Sequence, residues 1–106
     1  MREYGIENYL GLLMTSVGGM CEKHVNSGAR GDPDRICAFP DGHIVLVETK
    51  WAEGEEPEPH QFRRHEKWRK CKVMVEVVRS KAEARAFMNT YNCYWYKHVS
   101  HDFFLP

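Results

Sequence analysis

The chain has 106 residues, of which 42% are hydrophobic and 28% charged, with a formal net charge of zero. That length suits one domain with a single core, and the composition is too apolar for a disordered chain. No apolar run approaches a membrane span, and the opening Arg2, Glu3 and Glu7 do not follow the pattern of a signal peptide, so a cytoplasmic protein with no membrane partner is expected. Zero net charge argues against a protein that simply coats nucleic acid, yet the charge is polarised: residues 1–58 carry 5 basic and 11 acidic side chains, residues 59–106 carry 10 and 4. Such polarity suits an acidic site beside a basic surface that holds phosphates. Cys21, Cys37, Cys71 and Cys93 form no Cys-x-x-Cys pair and the six histidines are dispersed, so zinc is not expected. The first three cysteines read as small buried thiols in a reducing compartment.

Ile6, Leu10, Leu13, Met14 and Val17 make one apolar stripe at helical spacing, predicting an amphipathic helix over 3–17 that stops at Gly18-Gly19. Glu7 lies at the edge of that stripe, where it can either reach an acidic site or pair at the surface with Arg2 or Lys23. Residues 20–25 read as a strand with Lys23 on an inner or active-site face. The Gly-rich and polar stretch 26–32, with Arg30 in its middle, reads as a loop touching substrate. Two apolar runs, 36–39 and 44–47, flank the turn Pro40-Asp41-Gly42-His43 and predict an antiparallel hairpin. The second run is apolar on both faces, as in a strand covered on both sides.

Around this hairpin lies the chemistry. Alternation puts Glu48 and Lys50 on one strand face and Thr49 on the other, and the hairpin can carry Asp34 alongside Glu48. Two carboxylates converging with a lysine suit a hard divalent cation, Mg2+ or Mn2+, and an attacking water. The plainer alternative is a salt bridge among Glu48, Lys50 and Arg35, and Glu-Xaa-Lys by itself is a weak signal.

Residues 51–59, with two prolines and four glutamates, read as a loop, and a helix is expected from Pro59. On it Gln61, His65 and Trp68 share a packing face, while Arg63, Arg64, Lys67 and Lys70 offer charge for DNA backbone phosphates. Residues 73–78 predict a central strand parallel to its neighbour. Ser80 with Glu83 predicts a capped helix packed through Ala82, Ala86, Phe87 and Tyr91. The aromatic tail from Cys93, with Tyr94, Trp95, Tyr96, Phe103 and Phe104, predicts docking on the domain or on a second subunit.

MREYGIENYL, Gly18-Gly19, Lys23, GDPDR, VETK and HQFRRHEKWR fall in an order and spacing that resembles the stand-alone VRR-NUC domains, a branch of the PD-(D/E)XK nuclease superfamily. The resemblance covers about residues 1–90 and divides the chain into a domain over 1–92 and a tail over 93–106. It implies an α/β fold with a restriction-endonuclease-like core, a mixed central sheet flanked by helices. By position Asp34, Glu48 and the Thr49 backbone carbonyl look like metal ligands, Lys50 like the catalytic lysine, Gln61 like the glutamine of the following helix and Glu7 like the first-helix glutamate. With Lys23, Arg30 and Arg35 added to the basic helix residues as DNA contacts, the resemblance implies a Mg2+- or Mn2+-dependent endonuclease acting on branched or four-way junction DNA as a homodimer. A flap or single-strand nuclease is the neighbouring alternative, and a non-catalytic DNA-binding subunit is the alternative of another class. Two positions depart from the family: Asp32 replaces a neutral residue, and Lys72 replaces a helix-ending glycine.

Overall fold

A computed structural model describes residues 3–25, 30–50 and 55–91. Helix α1 (Glu3–Ser16) forms on the predicted stripe, with Ile6, Leu10, Leu13, Met14 and the following Val17 buried. Each such side chain contributes about 1.5–3 kcal/mol by leaving water. The helix closes with Gly19 N–H donating to the Met14 carbonyl at 2.8 Å and Gly18 N–H to that of Thr15 at 3.0 Å, Gly18 taking φ +83°. This left-handed cap favours glycine. At Gly19 a Cβ would stand 2.6 Å from the Ala38 carbonyl oxygen, so a bare backbone lets the chain turn tightly into the sheet.

Strands β1 (Met20–Lys23), β2 (Arg35–Ala38), β3 (Ile44–Thr49) and β4 (Met74–Val78) lie in the order β1-β2-β3-β4. The first three form the predicted antiparallel meander, with Cys21 opposite Cys37 and Ile36 opposite Leu46. β4 runs parallel to β3, Glu48 facing Val77. It is therefore the outer strand of the described sheet, not the central one expected, because β2 already holds the other side of β3 and the crossover has only the free side left. β1 ends at Lys23, two residues short of the predicted strand, and Lys23 is exposed at the sheet's edge, not buried on an inner face.

Alternation on β3 assigns its two faces. Val45 and Val47 enter the core with α1 and with α3 (Lys81–Tyr91). Glu48 and Lys50 look toward α2 (Pro59–Lys70), which begins at the predicted proline. Ser80 Oγ accepts the Glu83 N–H at 3.0 Å, as a cap should, and Glu83 in turn accepts the Arg79 N–H at 2.9 Å. Ala84, Phe87 and Met88 are the buried residues of α3, with Tyr91 packed against them, whereas Ala82 and Ala86 are exposed. Phe87 and Met88 bury far more apolar area than the two alanines and set the helix's rotation. Cys37 is buried and Cys21 half-buried, but Cys71 is exposed at the end of α2, where a basic last turn leaves no core to enter. The expected tail docking and residues 26–29 of the 26–32 loop fall outside the described residues.

Candidate active site

The candidate site lies at the end of β3, and the strand divides its residues. On the α1 side Asp34 is drawn to Thr49: its Oδ1 accepts the Thr49 N–H at 2.8 Å and its Oδ2 lies 2.6 Å from the Thr49 hydroxyl. The same hydroxyl lies 3.2 Å from Glu7 Oε1, and Glu7 Oε2 accepts from Arg35 Nη2 at 2.5 Å. The backbone of Asp34 is fixed too, since its carbonyl accepts the His24 N–H at 2.8 Å and His24 Nδ1 donates to the Pro33 carbonyl at 2.8 Å. Burial pushes the Asp34 carboxyl up to about 7, helped by the hydrogen bond to Glu7 and the charge of Glu48 against the opposing Thr49 donors. Burial raises Glu7 as well, but the hydrogen bonds to Asp34 and Arg35 and the Arg35 charge outweigh it and hold Glu7 below its ordinary value. Of the two neighbouring carboxyls, Asp34 is thus the one pushed up and Glu7 the one held down.

On the α2 side Glu48 is 4% exposed and Lys50 8% exposed. Lys50 N–H donates to the Val78 carbonyl at 2.9 Å, so the parallel pairing carries one residue past β3 and fixes where this lysine projects. Its Nζ donates to Gln61 Oε1 at 3.0 Å and lies 3.8 Å from Glu48 Oε2. Gln61 Nε2 donates to that same Oε2 at 3.2 Å, while Gln61 Oε1 also accepts the Glu58 N–H at the helix start, at 2.8 Å. Gln61 therefore joins the cap of α2 to both charged groups of β3. The remaining Glu48 oxygen, Oε1, is buried without a hydrogen-bond partner.

The structure gathers Glu7, Asp34, Glu48, Lys50 and Gln61, with the Asp34 carboxyl held by Thr49 and near enough to Glu48 to feel its charge. Thr49 enters through its side chain and N–H, a part that alternation alone did not suggest. His65, one turn after Gln61 on the same face, puts Nε2 3.7 Å from Glu48 Oε1. Its signal was the four-residue spacing from Gln61 toward the face that carries Glu48.

Among the expected DNA contacts, Arg30, Arg63, Lys67 and Lys70 are exposed, as is Lys23. Arg35 is committed to Glu7, and Arg64 Nε donates to Asp32 at 2.7 Å. Asp32 also accepts from Trp68 Nε1 at 3.0 Å. The added negative charge at position 32 is thus met by α2, and the loop before it is pressed onto the same helix: a Cβ on Gly31 would stand 2.8 Å from the His60 carbonyl oxygen.

Among the described residues no group of three His, Cys, Asp or Glu side chains is arranged to hold a metal. The donors nonetheless fit a cation in part. A buried carboxylate oxygen without a partner costs about 1–3 kcal/mol or more unless something bonds to it. Glu48 Oε1 is such an oxygen, at the end of a strand where its other oxygen is already held.

No family model matches the chain. "Putative nuclease p44" of Acyrthosiphon pisum secondary endosymbiont phage 1 is 46% identical over 65 residues, which is 61% of this chain and 69% of that protein. A solved structure described as a VRR_NUC domain superposes with a TM-score of 0.80 at 34% identity, over 84% of this chain and 96% of its own. The chain belongs to the VRR-NUC family. Its four-stranded mixed sheet flanked by helices is the VRR-NUC fold, of the restriction-endonuclease-like type.

Proposed function

We propose that this VRR-NUC chain is a metal-dependent DNA endonuclease that hydrolyses phosphodiester bonds at the end of β3. The observation that carries the reading is Glu48: buried, held at one oxygen by Gln61 with Lys50 nearby, and unpartnered at the other. A binding module has no need of a buried carboxylate kept in this condition.

Glu48 and Asp34, with the Thr49 backbone carbonyl, would hold Mg2+ or Mn2+, which supplies Lewis acidity toward a phosphoryl oxygen and acidifies water. Lys50 orients the attacking water or stabilises the charge that grows on the phosphate in the transition state. Gln61 fixes Lys50 Nζ and Glu48 Oε2 relative to one another, so neither has to reorganise when the phosphate arrives. Thr49 and Glu7 orient Asp34, and Arg35 keeps Glu7 charged. The exposed Arg63, Lys67 and Lys70, together with Arg30 and Lys23, bind backbone phosphates and so position DNA without reading its sequence.

Branched or four-way junction DNA is the substrate we favour, with a homodimer as the acting species. One small domain carries one site, and resolving a junction takes two sites facing two strands, which a two-fold pair of chains provides. The polarised charge of the chain supports a substrate rich in phosphates. The test is cleavage of duplex, 5′ and 3′ flap, splayed and four-way substrates by the purified protein with Mg2+ or Mn2+, alongside its mass in solution. Four-way junctions cut in paired positions by a dimer are expected. Flaps cut by a monomer would replace this substrate assignment, and failure on every substrate would leave a DNA-binding subunit.

A further inference from the structure

Two cysteines stand face to face across β1 and β2. Cys21 is directly opposite Cys37, and both turn to the core side of the sheet, where Cys37 is buried and Cys21 half-buried. The ladder decides how close they come. His24 N–H donates to the Asp34 carbonyl at 2.8 Å, so His24 and Asp34 are a hydrogen-bonded pair, and three steps back along the antiparallel ladder Cys21 and Cys37 are a non-hydrogen-bonded one. Opposed Cα atoms at such positions lie about 4.5 Å apart, inside the range of about 4.4–6.8 Å that a disulfide spans.

The two thiols are unlike. Cys37 is sealed at 0% exposure, whereas Cys21 lines an open cavity of about 550 Å³ between α1 and β1, walled also by Glu7, Leu12, Met20, Glu22 and Arg35. A hydrogen bond from Cys37 holds the Cys21 thiol below its ordinary value against burial, and the Arg35 charge adds to this; the same hydrogen bond, with burial, holds Cys37 well above. One sulfur can be reached and ionises first, and the other lies behind it.

We propose that Cys21 and Cys37 are a dithiol site that exchanges with a low-molecular-weight disulfide and closes a reversible cross-strand bond. The Cys21 thiolate attacks one sulfur of the small disulfide, forms a mixed disulfide in the cavity and expels the other half as a thiolate. Cys37, giving up its proton, then attacks Cys21 Sγ and expels the second half. Two protein thiols and one small disulfide become one protein disulfide and two small thiols, the cysteine protons passing to the leaving thiolates. The segment so closed, residues 22–36, carries Asp34 and Arg35. The proposal stands apart from the metal-dependent reading, in which neither sulfur has a part.

The test uses the full chain with Cys71→Ser and Cys93→Ser, which leaves this pair as its only thiols, kept folded in glutathione buffers, alkylated and measured by intact mass. Excess oxidised glutathione should give a form lighter by two hydrogens with no thiol left to alkylate, and excess reduced glutathione should restore both thiols. Adding Cys37→Ser should leave one glutathione held on Cys21, and adding Cys21→Ser should leave Cys37 unmodified. Should either of these fold poorly, the two-thiol protein decides alone. Two thiols still free in oxidised glutathione, a mixed disulfide that never closes, or a bond that forms only after urea unfolds the chain would overturn the proposal.

Discussion

On the α1 side of β3, Asp34 and Glu7 have every carboxylate oxygen accounted for by Thr49 or Arg35. On the α2 side, at the next residue of the strand, Glu48 Oε1 and His65 Nε2 have no hydrogen-bond partner and face each other across 3.7 Å. Both sides bury carboxylates, but they manage the charge differently. The α1 side settles it within the protein, by the Thr49 donors on Asp34 and a guanidinium on Glu7. The α2 side offsets it with Lys50 at 3.8 Å and leaves Glu48 Oε1 without a hydrogen bond, 3.7 Å from His65 Nε2. The difference is between carboxyls whose oxygens are all hydrogen-bonded, around Thr49, and a neighbouring carboxylate with one oxygen that is not, on the adjacent residue Glu48 at the end of β3.

Breaking the α2 side should cost most. Lys50→Met removes the cation beside Glu48 and, if the lysine acts in the transition state, lowers the single-turnover cleavage rate by about 10²-fold or more while metal and DNA binding persist. A rate within a few-fold of the unmodified protein, with stability lost instead, would make Lys50 a structural partner only. On the α1 side the consequence is a pH dependence. Asp34 titrates at about 7 in the folded chain against 3.8 ordinarily, so the folded state binds the extra proton between those values. Its contribution to stability is then greatest at low pH and declines as pH rises through about 7. Asp34→Asn should flatten that part of the melting-temperature profile of the metal-free protein, and it should weaken metal binding that otherwise improves over the same rise in pH.

Smaller effects sharpen the same contrast. Basic residues near α1 are spent internally, as Arg35 is on Glu7, whereas Arg63, Lys67 and Lys70 on α2 are exposed. Neutralising any one of the three should weaken all DNA substrates alike and reduce the salt slope of binding by about one unit. Changed cleavage-site preference at an unchanged slope would speak against phosphate contacts. The helix ends differ too. α1 closes on Gly18 at φ +83°, and α2 closes in the same way, Val73 N–H donating to the Trp68 carbonyl at 3.1 Å, but on Lys72 at φ +69°. Lys72→Gly relieves that left-handed lysine and should raise stability by about 0.5–1 kcal/mol in urea unfolding, with cleavage unaffected.

Much of this was legible before the structure. The spacing of Ile6 to Val17, the Pro-Asp-Gly turn, Pro59 and the alternation of Glu48, Thr49 and Lys50 are local signals, and each element formed where they pointed. What the sequence concealed depends on contacts between elements. Nothing local tells that Asp34 leans to the Thr49 side, that Arg64 turns in to Asp32, or that β4 ends the described sheet. Ala82 and Ala86 had helical spacing but too little area to decide which way α3 faces. His65 was readable as a packing residue, and only the geometry showed its nitrogen without a partner.

Calorimetric titration of Mn2+ into Glu48→Gln addresses the central claim, that the unpartnered oxygen of Glu48 holds the metal. The variant keeps the shape and hydrogen-bonding capacity of the side chain and removes a buried charge, so the metal-free fold should hold its melting temperature or gain. The account predicts Mn2+ affinity reduced by at least about tenfold together with loss of DNA cleavage. Unchanged Mn2+ affinity in the folded variant would contradict it.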